Sequence, residues 1–271
     1  MHNSFTSGPY GSPHVFFYAI VMGMESYQEV NARTISGWVD EGWQWGRPID
    51  HETYEKAKAG SWDMLLTPTR PIPHDWFGQL RGKSVLGLAS GGGQQMPVFS
   101  ALGAECTLLD LSDRQLDGDR MVAQREGYSI NIIKADMTKP LSFADESFDL
   151  IFNPVSLCYV EKVEPILAEC HRILRRDGIL LIAFDNGLNF ITDEGDEEKI
   201  VRGLPFNPLT DPSLYRKEDG YQFSHSFSEQ IGGLVRSGFV IRDVYEDTNG
   251  YGRLHELGIS SFWAVKAVKT C

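Results

Sequence analysis

The sequence has few cysteines and no long hydrophobic run. Its four cysteines are scattered and form no CxxC pair, so the spacing provides neither a disulfide framework nor a zinc site. The apolar stretch near the amino terminus, residues 14–23, is about half as long as a membrane-spanning helix requires. No Lys or Arg precedes it, although a secretory signal has a positive start. These absences predict a cytoplasmic protein with reduced thiols, no metal site and no membrane segment.

The sequence also lacks a surplus of positive charge. It contains 37 Asp and Glu residues against 25 Lys and Arg residues, which gives a formal net charge of -12. A protein that binds nucleic acid through the phosphates needs a basic face. We therefore expect no nucleic-acid partner, unless a local basic patch provides one.

Changes in composition divide the chain into three parts. Residues 1–24 contain repeated Gly and Pro, and the amphipathic pattern begins only at Glu25, so we expect a disordered or non-native extension. Residues 25–81, which we call the leader, are rich in aromatic side chains and predict a cover or lid on the edge of the next part. Residues 82–271 form the main domain, in which the regular pattern loosens at 186–230 and predicts an insert on the substrate side.

Strand and helix patterns alternate through the first half of the main domain, which predicts a parallel sheet with helices on both faces. The predicted strands span residues 84–89, 105–112, 130–136, 147–153, 179–184, 239–247 and 260–269. The predicted helices span residues 95–102, 113–127, 163–178 and 228–237. The sequence predicts no helix between the last two strands, so we expect the last strand to be antiparallel. The fold class is α/β: a doubly wound, Rossmann-like, mostly parallel seven-stranded sheet with an antiparallel last strand.

Three consecutive glycines follow the first predicted strand, within the sequence VLGLASGGGQQMP at residues 85–97. A strand, a glycine-rich turn and a helix form a site for a nucleotide-like ligand at the carboxyl edge of a sheet. The second strand runs to Asp110, where a carboxylate can bind two ribose hydroxyls, and the third ends in Asp136 and Met137. A dinucleotide fingerprint would require a third glycine at position 96, where this chain has Met96.

Together these residues resemble the class I S-adenosylmethionine-dependent methyltransferases, from about Lys83 to the carboxyl terminus. In that family the first strand leads into an acid, an apolar residue and Gly-x-Gly-x-Gly. Here Ala89 stands at the first glycine and Gly87 at the acid, whereas Asp110 and Asp136 fit the pattern unchanged. The chain looks most like small bacterial members that carry a Trp-rich leader before the motif.

The resemblance implies S-adenosylmethionine as the methyl donor. It implies that Asp110 binds the ribose, that Asp136 accepts a hydrogen bond from the adenine amino group, and that the glycines let the backbone approach the cofactor. No phosphate is involved, which agrees with a turn that has no Lys or Arg. The predicted cofactor contacts are Ala89, Ser90, Gly91, Gly93, Asp110, Leu111, Gln115, Asp136, Met137 and Asn153.

Three side chains are candidate catalytic groups. Tyr159 and Asp185 follow the fourth and fifth strands, beyond which the acceptor should bind, and His225 precedes the last helix. Tyr159 could equally be a packing residue, and His225 could be a structural turn residue. The sequence at 153–156, Asn-Pro-Val-Ser, matches the NPPY-type motif of amino-group methyltransferases only in its first two positions.

The sequence EGWQWG at residues 41–46 predicts a lid, because two Trp side chains could cover the cofactor and exclude water. Packing of the same two side chains against the main domain is an equal alternative.

The whole pattern predicts methyl transfer to a small-molecule acceptor by direct in-line displacement. The alternatives are an RNA or protein methyltransferase and a non-catalytic module that binds S-adenosylmethionine; Gly87 at the family's acid position keeps the second one open. A nicotinamide-dependent oxidoreductase is disfavoured by Met96 and by the lack of a separate substrate domain.

Overall fold

A seven-stranded sheet organises residues 25–193 and 197–270, which are the residues that the structure, a computed structural model, describes. The strands are β1 (Ser84–Leu88), β2 (Glu105–Asp110), β3 (Ile130–Lys134), β4 (Phe148–Asn153), β5 (Leu174–Asp185), β6 (Phe239–Asp247) and β7 (Phe262–Lys269). Their order across the sheet is β3-β2-β1-β4-β5-β7-β6. The first five strands are parallel, and β7 is antiparallel to both of its neighbours. The predicted fold class is confirmed, and the predicted extension at residues 1–24 lies outside the described residues.

Helices cover both faces of this sheet. They are α1 (Tyr27–Asp40), α2 (His51–Lys58), α3 (Gln95–Ala101), α4 (Asp113–Glu126), α5 (Glu164–Ile173), α6 (Leu188–Ile191), α7 (Phe227–Arg236) and α8 (Gly252–Glu256). Helix α4 is capped at both ends: Ser112 accepts a hydrogen bond from the Gln115 amide, and Gly127 ends the helix in the left-handed conformation. None of the described helices is long and apolar enough to cross a membrane.

The helix predicted at residues 163–178 is shorter in the structure. It ends at Ile173, and Leu174 begins β5 by pairing with Phe148. The ladder then shifts register, with Asp177 at a φ of +61°, before regular pairing resumes. The sequence prediction was wrong here because pairing with the neighbouring strand overrides a helical pattern that the local sequence supports.

The aromatic-rich stretch before the sheet contributes directly to the core. Trp76 is 1% exposed, and its indole nitrogen donates to the Asp243 carboxylate at 3.0 Å. The other buried hydrophobic residues of the stretch that pack on this face of the sheet are Ala57, Met64, Leu66, Ile72, Phe77 and Leu80. The second half of the stretch therefore packs as part of the main domain.

The glycine-rich turn between β1 and α3 directs its backbone amides into the protein. The amides of residues 91–93 donate, in order, to Asp110 Oδ2 (3.1 Å), to the carbonyl of Gln115 (2.9 Å) and to Asp119 Oδ2 (2.8 Å). A phosphate-binding turn instead points such amides at the ligand. This turn is therefore built as a close protein contact and does not form an anion cradle.

The glycines are required because protein backbone comes close to them. A Cβ atom on Gly92 (φ +105°) would lie 2.5 Å from the carbonyl oxygen of Trp45, and one on Gly93 (φ +71°) would lie 2.8 Å from the carbonyl oxygen of Gly118. Both positions also need the left-handed backbone that glycine adopts without strain. The sequence suggested the approach of a cofactor as the reason for the glycines, with tight packing of the helix on the strand as the alternative. The structure shows that α4 and the leader approach Gly92 and Gly93, while Gly91 also lines a cavity.

Asp119 is a buried carboxylate that sequence reasoning did not single out. Its side chain is completely buried, and Oδ1 has no hydrogen-bond partner among the described residues. Burial raises the pKa of Asp119 to about 8, and the nearby Asp110 adds to the shift. The folded protein therefore holds a proton that the unfolded chain releases at much lower pH.

We predict that the stability of Asp119→Asn, compared with that of wild type at the same pH, increases as the pH rises. Because the folded pKa is raised, wild-type stability falls between about pH 4 and pH 8, and an amide does not titrate. The free energy of unfolding of the variant, minus that of wild type, should rise by at least about 1.4 kcal/mol from pH 5 to pH 8. Urea denaturation at each pH measures this difference.

Asp117→Asn is the matched control, since Asp117 lies on the same helix with a side chain that is 52% exposed. It should show no comparable change. An Asp119→Asn difference that stays constant from pH 5 to pH 8 would show that Asp119 is ionised throughout this range in the folded protein.

Candidate active site

Two adjoining cavities lie at the carboxyl edge of the sheet. The larger has a volume of about 560 Å³ and the smaller a volume of about 110 Å³. Both cavities are lined by Trp43, Ala89, Gln115, Val155 and Tyr159. A ligand could therefore extend from one cavity into the other past the end of β1.

The smaller cavity lies between the ends of the first three strands and α1. Asp110 stands in its wall, and burial raises the pKa of this carboxyl even though it accepts hydrogen bonds from the amides of Gly91 and Ser112. Asp136 Oδ1 accepts from the amide and the hydroxyl of Thr138, at 2.8 and 2.7 Å. Asp136 Oδ2 has no hydrogen-bond partner within the described part of the chain, so this oxygen can accept a hydrogen bond from a ligand.

The other wall residues of the smaller cavity complete a mixed polar and apolar pocket. Those predicted as cofactor contacts are Leu111, Gln115, Met137 and Ala89. Gln115 is buried, and its Oε1 is unpaired among the described residues. The two acids and the apolar side chains thus surround one space, as expected for a pocket that holds a ribose and a flat base.

Helix α1 forms one wall of the smaller cavity, and its Asn31 side chain makes hydrogen bonds to distant parts of the chain. The side-chain nitrogen of Asn31 donates to the backbone carbonyls of Tyr159 (3.1 Å) and Tyr221 (2.9 Å). Its side-chain oxygen accepts from the backbone amide of Tyr221 (2.7 Å). The side-chain hydroxyls of Ser36 and Ser112 lie 2.9 Å apart and connect α1 to the end of β2. The leader, the turn after β4 and the insert therefore meet at one buried side chain.

The larger cavity has a floor built by the strand ends and an outer wall built by the insert. Ser90, Gly91 and Asp185 line the floor. The leader adds Trp43, Trp45 and residues 65–68. The outer wall comes from residues within 189–193, 197–222 and 249–251.

Asp185 is the best-placed proton acceptor of the larger cavity. Its two carboxylate oxygens accept from the Gly187 amide and from the side-chain amide of Asn189, each at 2.6 Å. Burial raises the pKa of Asp185 to about 6, despite these hydrogen bonds. A carboxylate with a pKa near neutrality is suited to general-base work.

Tyr159 lines both cavities but is a poor acid or base at neutral pH. Burial raises its pKa well above 10, so the phenol stays protonated. The centroid of its ring lies 6.1 Å from that of the Trp38 ring, and its backbone carbonyl accepts a hydrogen bond from the Asn31 side chain. The structure therefore places Tyr159 between the cavities as a wall residue with a hydroxyl group.

His225 does not reach the candidate site, which corrects the expectation that it could act as a base. The ring is buried, its Nε2 lies 3.1 Å from the carbonyl oxygen of Leu157, and burial lowers its pKa. It lines neither cavity. The alternative of a structural residue fits this position, because the adjacent Ser226 caps α7 and fixes the direction of the chain.

Two predicted cofactor contacts also lie behind the cavity walls. The Asn153 side chain donates to the Leu88 carbonyl (2.7 Å) and to the Ser156 hydroxyl (2.8 Å), so it joins the ends of β1 and β4. Gly93 faces α4 and the leader. Neither residue lines a cavity, so both could act only by holding residues that do.

The segment predicted as a lid is hydrogen-bonded to the glycine-rich turn. The Gln94 side chain donates to the carbonyls of Gln44 (2.8 Å) and Arg47 (3.0 Å), and the Ile49 amide donates to the Gly93 carbonyl (2.9 Å). Trp43 and Trp45 are half-buried and line the larger cavity. The segment is thus both packed against the domain and exposed to the candidate site.

One group of side chains outside the cavities could hold a cation. Ligand atoms of His51, Glu55 and Glu126 lie within 4.8 Å of one another. Glu126 is already bonded to His51 and Arg125. This group lines neither cavity and has no evident part in their chemistry.

Sequence reasoning missed Asn31, Asp119 and Arg202, the last of which lines the larger cavity. Asn31 and Asp119 lie in helices whose polar residues mostly face solvent, so nothing in the local pattern marked them. Arg202 offered a weak signal as a cation that follows the acidic run at 193–198.

Comparison with known proteins agrees with this geometry. Residues 86–182 match the family described as Methyltransferase domain. A protein of Bacillus subtilis named as the uncharacterized methyltransferase YbaJ is 38% identical over 241 residues, which cover 85% of this chain and 94% of that protein.

Solved structures share the fold. An S-adenosylmethionine-dependent methyltransferase from Mesorhizobium loti has a TM-score of 0.57 at 22% identity, over 72% of this chain and 94% of that one. The 1,6-didemethyltoxoflavin-N1-methyltransferase of Burkholderia thailandensis, solved with 1,6-didemethyltoxoflavin and S-adenosylhomocysteine, has a TM-score of 0.58 at 17% identity, over 98% and 94% of the two chains. Because the match to the Bacillus subtilis protein extends over most of both sequences, this chain belongs to the class I S-adenosylmethionine-dependent methyltransferases.

Proposed function

We propose that this methyltransferase binds S-adenosylmethionine across both cavities and transfers the methyl group to a small molecule held in the larger one. The adenosine would occupy the smaller cavity, with the ribose hydroxyls on Asp110 and the adenine amino group on Asp136 Oδ2. Leu111 and Met137 would contact the faces of the base. The methionine part would pass Ala89 and Gln115, which line both cavities.

The observation that carries the proposal is the size and position of the larger cavity. Its volume of about 560 Å³ is within the range typical of small-molecule sites, and it adjoins the proposed adenosine pocket. The Burkholderia thailandensis enzyme with the same fold was solved with 1,6-didemethyltoxoflavin as well as S-adenosylhomocysteine. The insert that walls the cavity and the net charge of -12 both argue against a groove for a polynucleotide.

Bound S-adenosylmethionine supplies a methyl group on a positively charged sulfur. The protein's part is to align the acceptor with the carbon–sulfur bond and to exclude water, for which Trp43 and Trp45 are placed. The acceptor atom forms a bond to the methyl carbon, the carbon–sulfur bond breaks, and its electron pair goes to sulfur to give S-adenosylhomocysteine. Asp185 would accept the proton that the acceptor atom loses.

We predict that Asp110→Ala weakens the binding of S-adenosylmethionine at least tenfold. The variant loses charge-assisted hydrogen bonds to the ribose, each worth about 1.5–3 kcal/mol. Isothermal titration calorimetry measures the change. Asp113→Asn is the control, because Asp113 is exposed and pairs with Lys134 on the surface; unchanged affinity in Asp110→Ala would remove Asp110 from the cofactor site.

We predict that label from methyl-labelled S-adenosylmethionine, incubated with the protein and a fractionated cell extract, enters the small-molecule fraction. Label in RNA or protein would favour a macromolecular acceptor. Binding of the cofactor with no label in any fraction would favour a non-catalytic module.

We predict that Asp185→Asn lowers the rate of methyl transfer to the labelled fraction by about 10²–10⁴-fold, the usual contribution of a general base. The wild-type rate should rise with pH through about 6, as the carboxyl loses its proton. The affinity for S-adenosylhomocysteine should change less than threefold in the variant. Full activity in Asp185→Asn would show that no proton passes to this residue.

A further inference from the structure

The larger cavity carries five charged side chains in its wall: Asp185, Glu197, Arg202, Arg216 and Asp219. Four of them have interactions within the protein. Asp185 and Glu197 accept backbone hydrogen bonds, the latter from the Leu254 amide at 2.8 Å. Arg216 and Asp219 also take part in interactions inside the chain. Their charges are therefore at least partly compensated without a ligand.

Arg202 differs from these four. Its guanidinium makes no hydrogen bond or ion pair within residues 25–193 and 197–270. Its Cζ atom lies 5.7 Å from the centroid of the Phe206 ring. The residue is half-buried and lies in the insert, where its amide donates to the Ile191 carbonyl. An anionic partner stabilises a partly desolvated guanidinium. The planar guanidinium can also donate to two oxygens of the same carboxylate or phosphate group.

An aromatic layer stands next to this guanidinium. Phe206 stacks on Phe190, with ring centroids 4.9 Å apart and an angle of 28° between the rings. Both rings are largely buried and both line the cavity, as Trp43 and Trp45 do from the leader side. Such walls favour a flat apolar ligand, since aromatic faces stack.

From these contacts we propose that Arg202 binds the carboxylate of a planar aromatic acceptor in the larger cavity, an assignment that rests on the function proposed above. A carboxylate fits the guanidinium fork in a bidentate manner. A phosphate, which carries more negative charge, is disfavoured because Asp185, Glu197 and Asp219 share the same wall. Since Arg202 engages the carboxylate, the methyl group would go to a different atom of the acceptor.

The test measures binding of 2-naphthoate and of its neutral isostere 2-naphthamide to the full chain saturated with S-adenosylhomocysteine. Wild type should bind the carboxylate at least tenfold more tightly than the amide, by calorimetry or naphthyl fluorescence. In Arg202→Gln the two affinities should come within about threefold of each other, and Arg202→Lys should keep part of the preference. The saturated decahydro-2-naphthoate should bind more weakly than 2-naphthoate.

Arg242→Gln is the matched control, because it removes the same charge from an exposed position on β6 that lines neither cavity. It should keep the wild-type preference. The proposal is overturned if wild type does not prefer the carboxylate, if the preference survives in Arg202→Gln, or if 2-naphthyl phosphate binds more tightly than 2-naphthoate.

Binding of S-adenosylhomocysteine to each variant separates the two proposals. Normal cofactor binding without any preference for the carboxylate contradicts only the role of Arg202. If wild type does not bind S-adenosylhomocysteine, the proposed cofactor site itself is contradicted.

Discussion

The close contact of the glycine-rich turn with α4 and with the leader is the constraint on which the site depends. Gly92 and Gly93 have no room for a Cβ atom, because backbone atoms of Trp45 and Gly118 occupy that space. The amides of the turn bind acceptors from β2 and α4. These contacts fix the end of β1 relative to α4, and Ala89 after β1 and Gln115 on α4 both stand in the wall that the two cavities share. A side chain at either glycine would displace the wall and the leader together.

The same constraint limits what the proposed cofactor site offers to a ligand. All three amides of residues 91–93 are bonded inside the protein, so an anionic ligand would find no donors there. In the proposed cofactor site, recognition would fall to Asp110, Asp136 and the apolar residues beside them. This arrangement suits a ligand with hydroxyl and amino groups and a positive charge, and it does not suit a pyrophosphate.

The sequence predicted those parts of the structure that depend on local periodicity. Asp110 and Asp136 could be placed near one another because parallel strands end at the same edge of a sheet, and the structure puts both in the wall of one cavity. The start of β5 was missed because Leu174 belongs to a strand only through its pairing with Phe148. The position of His225 could not be predicted either, because a capping pattern gives the start of a helix but not the direction of the side chain before it.

Trp45 touches Gly92 through its carbonyl oxygen, an atom that every amino acid carries. Gln94 likewise binds two carbonyls of the leader, and Ile49 contributes its backbone amide. A substitution at Gln44 or Arg47 therefore leaves these backbone contacts in place. Gly46 is different, because a Cβ atom there would lie 2.4 Å from the Val39 side chain. An inserted or deleted residue between Gln44 and Ile49 would put every contact out of register. Among homologous chains, this part of the leader should be held to a constant length even where the side chains at Gln44 and Arg47 differ.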